Sequence, residues 1–356
     1  MAQQILNSAK SALGLDGKKT YTLAGESVGS TGFGLMGMTW RPNPQDRSKS
    51  IETMKAALKA GANFWNGGEF YGPPEANSLH LLNEYFTKYP EDASKVVISI
   101  KGGGKVPMPV PDGSEKNTQR SIDECLRVLD GKKKLDLFEC ARVDPKTPVE
   151  ITMRAIKKYI DAGKLGGVCL SECSADTIRR AAKEVKISGV EIEYSLWATD
   201  AADNGVFAAC AELDIPIIAY SPLGRGFLTG QLRSPDDIPE DDFRRGLPRF
   251  QKENFDENLK LVAEVESLAK RKGATAGQVA LSWVKAQSER NGNPVIIPIP
   301  GTTTVPRLEE NMADVELSEN DIKEIDSMIA SFTAVGTRYG GPLTALEYGD
   351  SPALSE

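Results

Sequence analysis

Eight short apolar segments separated by helical patterns, with no break in composition along the chain, predict an α/β protein built on one parallel sheet. They lie within residues 29–311, a length that suits the about 250 residues of a (β/α)8 TIM barrel, so closure of the sheet is the economical arrangement. An open doubly wound sheet is the alternative. It calls for a Gly-x-Gly-x-x-Gly turn opening a helix, with an acidic residue about 20 positions further on, and the chain has none.

Residues 32–38 read as a first strand ending in glycines, and 47–60 as the amphipathic helix after it. Phe64, Trp65 and Asn66 make a second strand that runs out through Gly67 and Gly68 into a loop carrying Tyr71, ahead of a helix over 75–87. The Val- and Ile-rich run at 96–101 is a third strand, closed by Gly102, Gly103 and Gly104. Strands at 135–143, 167–170, 189–194, 215–220 and 295–299 complete the eight, with helices at 115–129, 148–162, 175–184, 201–213, 254–272 and 276–287 between or after them. Residues 224–253, after the seventh strand, are rich in Pro, Asp and Arg, too long for a simple loop and placed to fold over a ligand. A last helix at 318–331 leads into a tail, 332–356, that is either disordered or lies over the barrel mouth with Arg338, Tyr339 and Tyr348 as pocket-lining groups. Residues 1–28 read as a flexible or weakly helical N-terminal extension, and 29–356 as one domain.

Hydrophobic content of 40% and charged content of 26% are those of an ordinary globular protein. A net charge of −7 argues against nucleic acid as a partner, and no apolar run reaches the about 18 residues of a membrane span. The five cysteines are odd in number and show no metal-type pairing with the one histidine, His80, which favours reduced thiols in a cytoplasmic protein. Cys169 and Cys173 read as core or loop filler, His80 as a helix-surface residue, and Lys132, Lys133 and Lys134 as a solvated turn.

Tyr71 and Lys101 stand at the carboxyl ends of neighbouring strands, the face on which barrel enzymes do their chemistry. A phenol, with an ordinary pKa of about 10, becomes a useful proton donor to a developing alkoxide when an ammonium stands near it. Followed by Gly72 and paired with a strand-end lysine, Tyr71 is better read as catalytic than as packing. Trp40 is expected near the barrel mouth and Trp65 in the core or pocket wall. Arg142, alternating with Ala141, is expected to point away from the pocket into a structural ion pair.

Gly32-Phe33-Gly34-Leu35-Met36-Gly37-Met38, the stretch 64–72, Ile100-Lys101-Gly102-Gly103, Leu170-Ser171-Glu172, Glu193-Tyr194-Ser195-Leu196, Ala219-Tyr220-Ser221-Pro222-Leu223-Gly224 and Ile299-Pro300-Gly301-Thr302 resemble successive motifs of the aldo-keto reductases, in that family's order. Within the family, Gly68-Glu69-Phe70-Tyr71-Gly72, the stretch 137–145 and Thr337-Arg338-Tyr339 resemble the pyridoxal reductases of fungi. The resemblance implies NADPH-dependent reduction of an aldehyde, pyridoxal to pyridoxine, with Tyr71 as proton donor and Lys101 lowering its pKa. Two positions depart from the family's pattern: Asn66 stands where an aspartate usually contacts the lysine, and Ala141 where a histidine usually orients the carbonyl. Asn66 can accept a hydrogen bond from Lys101 but brings no charge, so Lys101 should be less neutralised and depress the Tyr71 pKa further. Ala141 widens a pocket shared with Met36 and Trp40, which suits a bulky ring aldehyde.

The same matching assigns the nicotinamide carboxamide to Ser171, Glu172 and Glu191, ring stacking to Tyr220, and the pyrophosphate to Ser221, Leu223 and Gly224. On the eighth-strand loop it gives Gly301 and Thr302, Arg307 at a helix start for a 2′-phosphate, and Glu310 and Asn311 for the adenine. The lack of a further basic residue near Thr303 or Thr304 weakens the preference for NADPH over NADH without reversing it. A competing reading, motivated by Asn66 and Ala141, is a nicotinamide-nucleotide-binding regulatory or redox-sensing protein with vestigial catalysis.

Overall fold

The structure is a computed structural model and describes residues 19–105 and 110–355. Strands β1 (Thr20–Leu23) and β2 (Glu26–Gly29) form an antiparallel hairpin whose turn residues, Ala24 and Gly25, both have left-handed φ angles of 50° and 85°. A turn of that hand matches the right-handed twist of the flanking strands. Residues 20–28, expected to be flexible, are therefore structured, and residues 1–18 of the expected extension lie outside the described residues.

The barrel strands follow: β3 (Phe33–Gly34), β4 (Phe64–Gly68) and β5 (Val97–Gly102), then, after a short antiparallel ribbon of β6 (Gly104–Lys105) and β7 (Val110–Pro111), β8 (Leu135–Cys140), β9 (Leu165–Ser171), β10 (Ile187–Glu193), β11 (Ile217–Tyr220) and β12 (Ile296–Pro298). The eight pair in parallel in the order β12-β11-β10-β9-β8-β5-β4-β3, with Gly68 opposite Lys101 and Lys101 opposite Glu139. A parallel bridge from Gly34 to Gly301 and a hydrogen bond of 2.9 Å from the Gly32 amide to the Pro298 carbonyl close the ring. A Cβ on Gly32 would stand 2.8 Å from the Phe64 carbonyl oxygen, so only glycine allows that approach.

Alternation along the strands divides the interior. Phe64, Val97, Leu137, Cys169, Ile218 and Ile297 fill its lower part as one apolar cluster, which Leu23 and Val28 of the hairpin cap from beneath. Above that layer the inward positions turn polar: Asn66, Ser99, Glu139 and Glu191, then Lys101. Trp65 points outward against Tyr85 and Phe86 of the helix Ser78–Lys88, with ring centroids 4.9 and 6.0 Å away.

Several element boundaries differ from the sequence expectation for local reasons. The first strand shrinks to two residues because Met36–Thr39 winds into a helical turn. The second helix starts at Ser78, where the Asn77 side chain accepts from the Leu79 and His80 amides and fixes the N-terminus. Strand β8 stops at Cys140, short of 143. Residues 224–253 fold into short helical turns, Gly224–Thr229, Pro235–Asp237, Phe243–Gly246 and Pro248–Phe250, ahead of the helix Lys252–Lys272. Lys133 is not solvated as expected: it is buried against Asp136, 2.6 Å away.

Candidate active site

At the carboxyl ends of β4, β5, β8 and β10, four inward side chains interlock, each no more than 4% exposed. The Lys101 Nζ donates to Asn66 Oδ1 at 2.9 Å and to a Glu191 oxygen, and lies 3.0 Å from Glu139 Oε1. The Asn66 amide nitrogen donates to Glu139 Oε2 at 3.1 Å and to Glu191 Oε2 at 2.7 Å, and Ser99 Oγ donates to Glu139 at 3.0 Å. Asn66 thus uses both ends of its amide, accepting from the cation and donating to the anions, which an aspartate cannot do.

This arrangement corrects two expectations. Lys101 is not short of counter-charge, because Glu139 and Glu191 replace what Asn66 lacks. Glu191 faces Lys101 rather than standing free for a carboxamide. Burial works against the lysine's charge, but the two carboxylates outweigh it and hold the ammonium well above the ordinary lysine range. Burial and the like charge of Glu139 push Glu191 well above the ordinary carboxylate range, against the pull of Lys101. Glu139 had no role assigned from sequence. An acidic residue between apolar neighbours on a buried strand is the signal that could have found it.

Tyr71 sits on the loop after β4. Its amide donates to the Gly68 carbonyl at 3.2 Å, and its carbonyl accepts from Ser78 N at 3.1 Å and Thr39 Oγ1 at 2.6 Å. The ring lies over Gly68, where a Cβ would come within 3.1 Å of it, and stacks on Trp40 at 5.5 Å between centroids. Glu69 fixes the loop through Arg120 at 3.0 and 3.2 Å and Ser121 Oγ at 2.7 Å. The Lys101 Nζ is 5.9 Å from the Tyr71 ring centre. Burial raises the phenol above the ordinary tyrosine range; Lys101 opposes this, and Glu191 and Glu139 add to it. Ala141 and Phe70 pack with Tyr71 in a small apolar patch, the half-exposed Trp40 ring lies against Phe70 and Tyr71, and Met36 is exposed on the helical turn Met36–Thr39 that leads to it.

The tail closes the other side. Arg338 donates to both oxygens of Glu172 at 3.0 and 2.9 Å and to Glu347 at 2.9 Å. Glu172 also accepts from the Tyr220 hydroxyl at 2.9 Å and the Glu193 amide at 3.0 Å, while Tyr220 and Tyr339 share a hydrogen bond of 2.9 Å. The tail is therefore ordered over the mouth, as one of the two sequence readings had it, and Tyr348 packs beside Arg338. Glu172 is fully engaged by Arg338 rather than left to a ligand. Arg142 is a further correction: because β8 ends at Cys140, alternation no longer governs it. Its guanidinium folds back into the mouth, donating to Ala141 O at 2.6 Å, Ser171 Oγ at 3.4 Å and Tyr339 OH at 3.2 Å.

On the far side, Ser221 and Gly224 take left-handed φ angles of 47° and 56° in a tight loop that includes Leu223. Gly301 and Thr302 precede the helix Val305–Met312, where Arg307 bonds to Gln231 of the long connection. Glu310 accepts from Thr275 Oγ1 at 2.7 Å, and Asn311 is buried. A cleft of about 740 Å³ lies elsewhere, between the hairpin and Ile187, Asp214 and Pro216, and gathers no comparable set of buried charges. Among the described residues no group of His, Cys, Asp and Glu could hold a metal, and no helix is long and apolar enough to cross a membrane.

A closed parallel barrel with buried charge gathered at its carboxyl-end mouth defines the (β/α)8-barrel class. The chain belongs to the aldo/keto reductase family, which it matches over residues 31–330. It is 42% identical over 327 residues to the probable pyridoxal reductase 2 of Schizosaccharomyces pombe, covering 90% of this chain and 97% of that protein. It is 37% identical to that organism's aldo-keto reductase yakc [NADP(+)], covering 94% and 98%, and 37% identical to a putative pyridoxal reductase of Saccharomyces cerevisiae, covering 87% and 95%. Among solved structures, the glycerol dehydrogenase of Gluconobacter oxydans superposes with a TM-score of 0.77 at 20% identity, covering 89% of this chain and 97% of that one, a likeness of fold.

Proposed function

We propose that the protein reduces an aldehyde to an alcohol with NADPH, that pyridoxal is its substrate, and that Tyr71 donates the proton. The observation that carries the reading is the buried Lys101 ammonium beneath Tyr71 at the barrel mouth. The relatives named as pyridoxal reductases and as an NADP(+) enzyme support the substrate and the cofactor. The residues present fit the nucleotide: a half-buried Tyr220 ring offers a stacking face, the left-handed turn at Ser221 and Gly224 allows close backbone approach, and Arg307 lies in the first turn of a helix. NADPH held by these residues would supply the hydride for the carbonyl carbon. Tyr71 gives its hydroxyl proton to the carbonyl oxygen as the negative charge builds there, and Lys101 stabilises the tyrosinate until solvent returns a proton. Glu139, Glu191 and Asn66 keep Lys101 charged and fixed in place. Glu172 and Glu191 are not carboxamide holders in this reading, because Arg338 and Lys101 occupy them.

The test follows NADPH oxidation by absorbance with pyridoxal and unrelated aldehydes, for the wild type and Tyr71→Phe. Turnover that prefers pyridoxal and drops at least a hundredfold in the variant is the expected result, given the about 10²–10⁴-fold contribution of a positioned proton donor. Full activity in the variant would refute the donor. A regulatory protein with vestigial catalysis, favoured by Ala141 in place of a histidine, would instead bind NADPH tightly and turn over none of the aldehydes.

A further inference from the structure

Three arginines converge on the tail side of the mouth, and they are not equally neutralised. Arg338 is held by Glu172 and Glu347, and Arg225 by Glu193 at 2.9 Å. Arg142 meets only neutral acceptors, the Ala141 carbonyl, the Ser171 hydroxyl and the Tyr339 hydroxyl, and among the described residues no carboxylate forms an ion pair with it. A half-buried guanidinium bonded to neutral groups alone has given up water without an ion pair of its own: Glu172, whose carboxylate Arg338 already holds, acts on it only through space. Its place is specific. It is anchored on the carbonyl of Ala141, whose side chain packs against Tyr71 and Phe70. It also bonds to Tyr339, which bonds in turn to Tyr220.

We propose that Arg142 forms an anion subsite beside the reacting carbonyl, so that the enzyme takes aldehydes carrying a negatively charged oxygen close to the aldehyde group. The inference rests on the reductase reading above and deepens it. The cofactor's phosphates are not the anion in question. The loops that would hold them follow β11 and β12, and in the closed order of the sheet β8, which delivers Arg142, lies on the opposite side of the barrel from β12. A phenolate ortho to an aldehyde has the required chemistry, since its oxygen and the carbonyl oxygen stand side by side, one for Arg142 and the other for Tyr71. Pyridoxal, with a ring hydroxyl next to its aldehyde, is one such compound; other 2-hydroxyaryl aldehydes are members of the same class.

The experiment measures kcat/KM for salicylaldehyde and 2-methoxybenzaldehyde, at a pH where the salicylaldehyde hydroxyl is ionised, in the wild type, Arg142→Met and Arg142→Lys, each checked for folding by thermal melting. The readout is the ratio between the two substrates. The wild type should favour salicylaldehyde, the ratio should fall about ten- to a hundredfold in Arg142→Met, as for loss of a charged hydrogen bond, and Arg142→Lys should recover part of it. An equal ratio in wild type and Arg142→Met overturns the subsite. If no aldehyde is reduced by the wild type, the reductase reading fails on its own. Calorimetric titration of the NADP+-loaded proteins with salicylate then decides the subsite: weaker binding to Arg142→Met upholds it, and equal binding overturns it.

Discussion

Lys101 keeps its charge at 4% exposure because three neighbours share the work: two carboxylates supply the attraction and Asn66 separates them. The donor is the protonated Tyr71 phenol, and its pKa is displaced upward by burial and by Glu191 and Glu139. The proton is therefore retained through neutral pH, and the reduction rate should fall only as pH rises beyond the ordinary tyrosine value of about 10. A profile of kcat against pH checks this, and a descending limb near neutrality would contradict it. In Glu191→Gln, one of the groups raising the phenol is gone, so that limb should move to lower pH, a shift that loss of packing alone would not produce. At this scale the sequence was partly readable. Tyr71 and Lys101 draw attention by residue type at the ends of neighbouring strands, Asn66, in the middle of β4, only through the resemblance, and Trp40 lies at the mouth as expected, stacked on Tyr71. Glu139 drew no expectation and Arg142 a wrong one, because their meaning depends on what faces them: a strand-borne glutamate looks alike whether it faces a cation or a helix, and the alternation used for Arg142 ends two residues before it.

The tail is the element whose behaviour composition left open. Its Gly-rich sequence allows disorder, and Arg338 decides the matter by bridging Glu172, Glu193 and Glu347, with nearest contacts of 2.9, 3.6 and 2.9 Å. The Gly349 amide adds a bond of 2.7 Å to the Glu172 carbonyl. Arg338→Met should destabilise the protein by about 3 kcal/mol, since removing one partner leaves a buried carboxylate uncompensated, although Tyr220 and the Glu193 amide still donate to it. The urea midpoint measures the loss. Glu172→Gln in the same chain should restore part of it, because the amide that remains carries no charge. The loss also has a pH signature. In the wild type, burial raises Glu172 but Arg338 outweighs it and holds the carboxyl below its ordinary range, a contribution to stability present above the unfolded pKa and lost as pH falls through the folded one. Without Arg338 burial prevails, so the defect should be greatest at neutral pH and shrink in acid. At the other end of the barrel, the hairpin is a second element the sequence reading missed, because four-residue strands around Ala24 and Gly25 give a weak pattern. The buried Leu23 shows its role, and Leu23→Ala should cost about 2–5 kcal/mol by opening a cavity under the interior cluster, again read by urea unfolding.

Across the whole molecule, the site exists only because the sheet closes on itself: Asn66 and Glu191 are 125 residues apart in sequence, on strands that are not neighbours, and they meet at 2.7 Å across the barrel interior. The eight-strand pattern that makes this meeting unavoidable was legible, since each strand has its own apolar run. Which inward groups would touch across the barrel was not, because that depends on register and tilt rather than on any local pattern. A change at one member of the set should therefore be felt at the others. Asn66→Asp restores the residue usual in the family, yet here it places a third carboxylate against Glu139 and Glu191 and removes the amide hydrogens that both accept. Despite the added negative charge near Lys101, the variant should lose about 3 kcal/mol of stability and some activity, because like charges at this separation in a dry interior cannot all remain ionised. Glu191→Gln introduced with it removes one carboxylate and returns an amide donor to the cluster. The pair should then unfold at nearly the wild-type urea concentration, with a coupling of about 1–3 kcal/mol in the double-mutant cycle. Simple additivity of the two single changes would mean that Lys101 is held by independent contacts and that its counter-charge cannot be exchanged between strands.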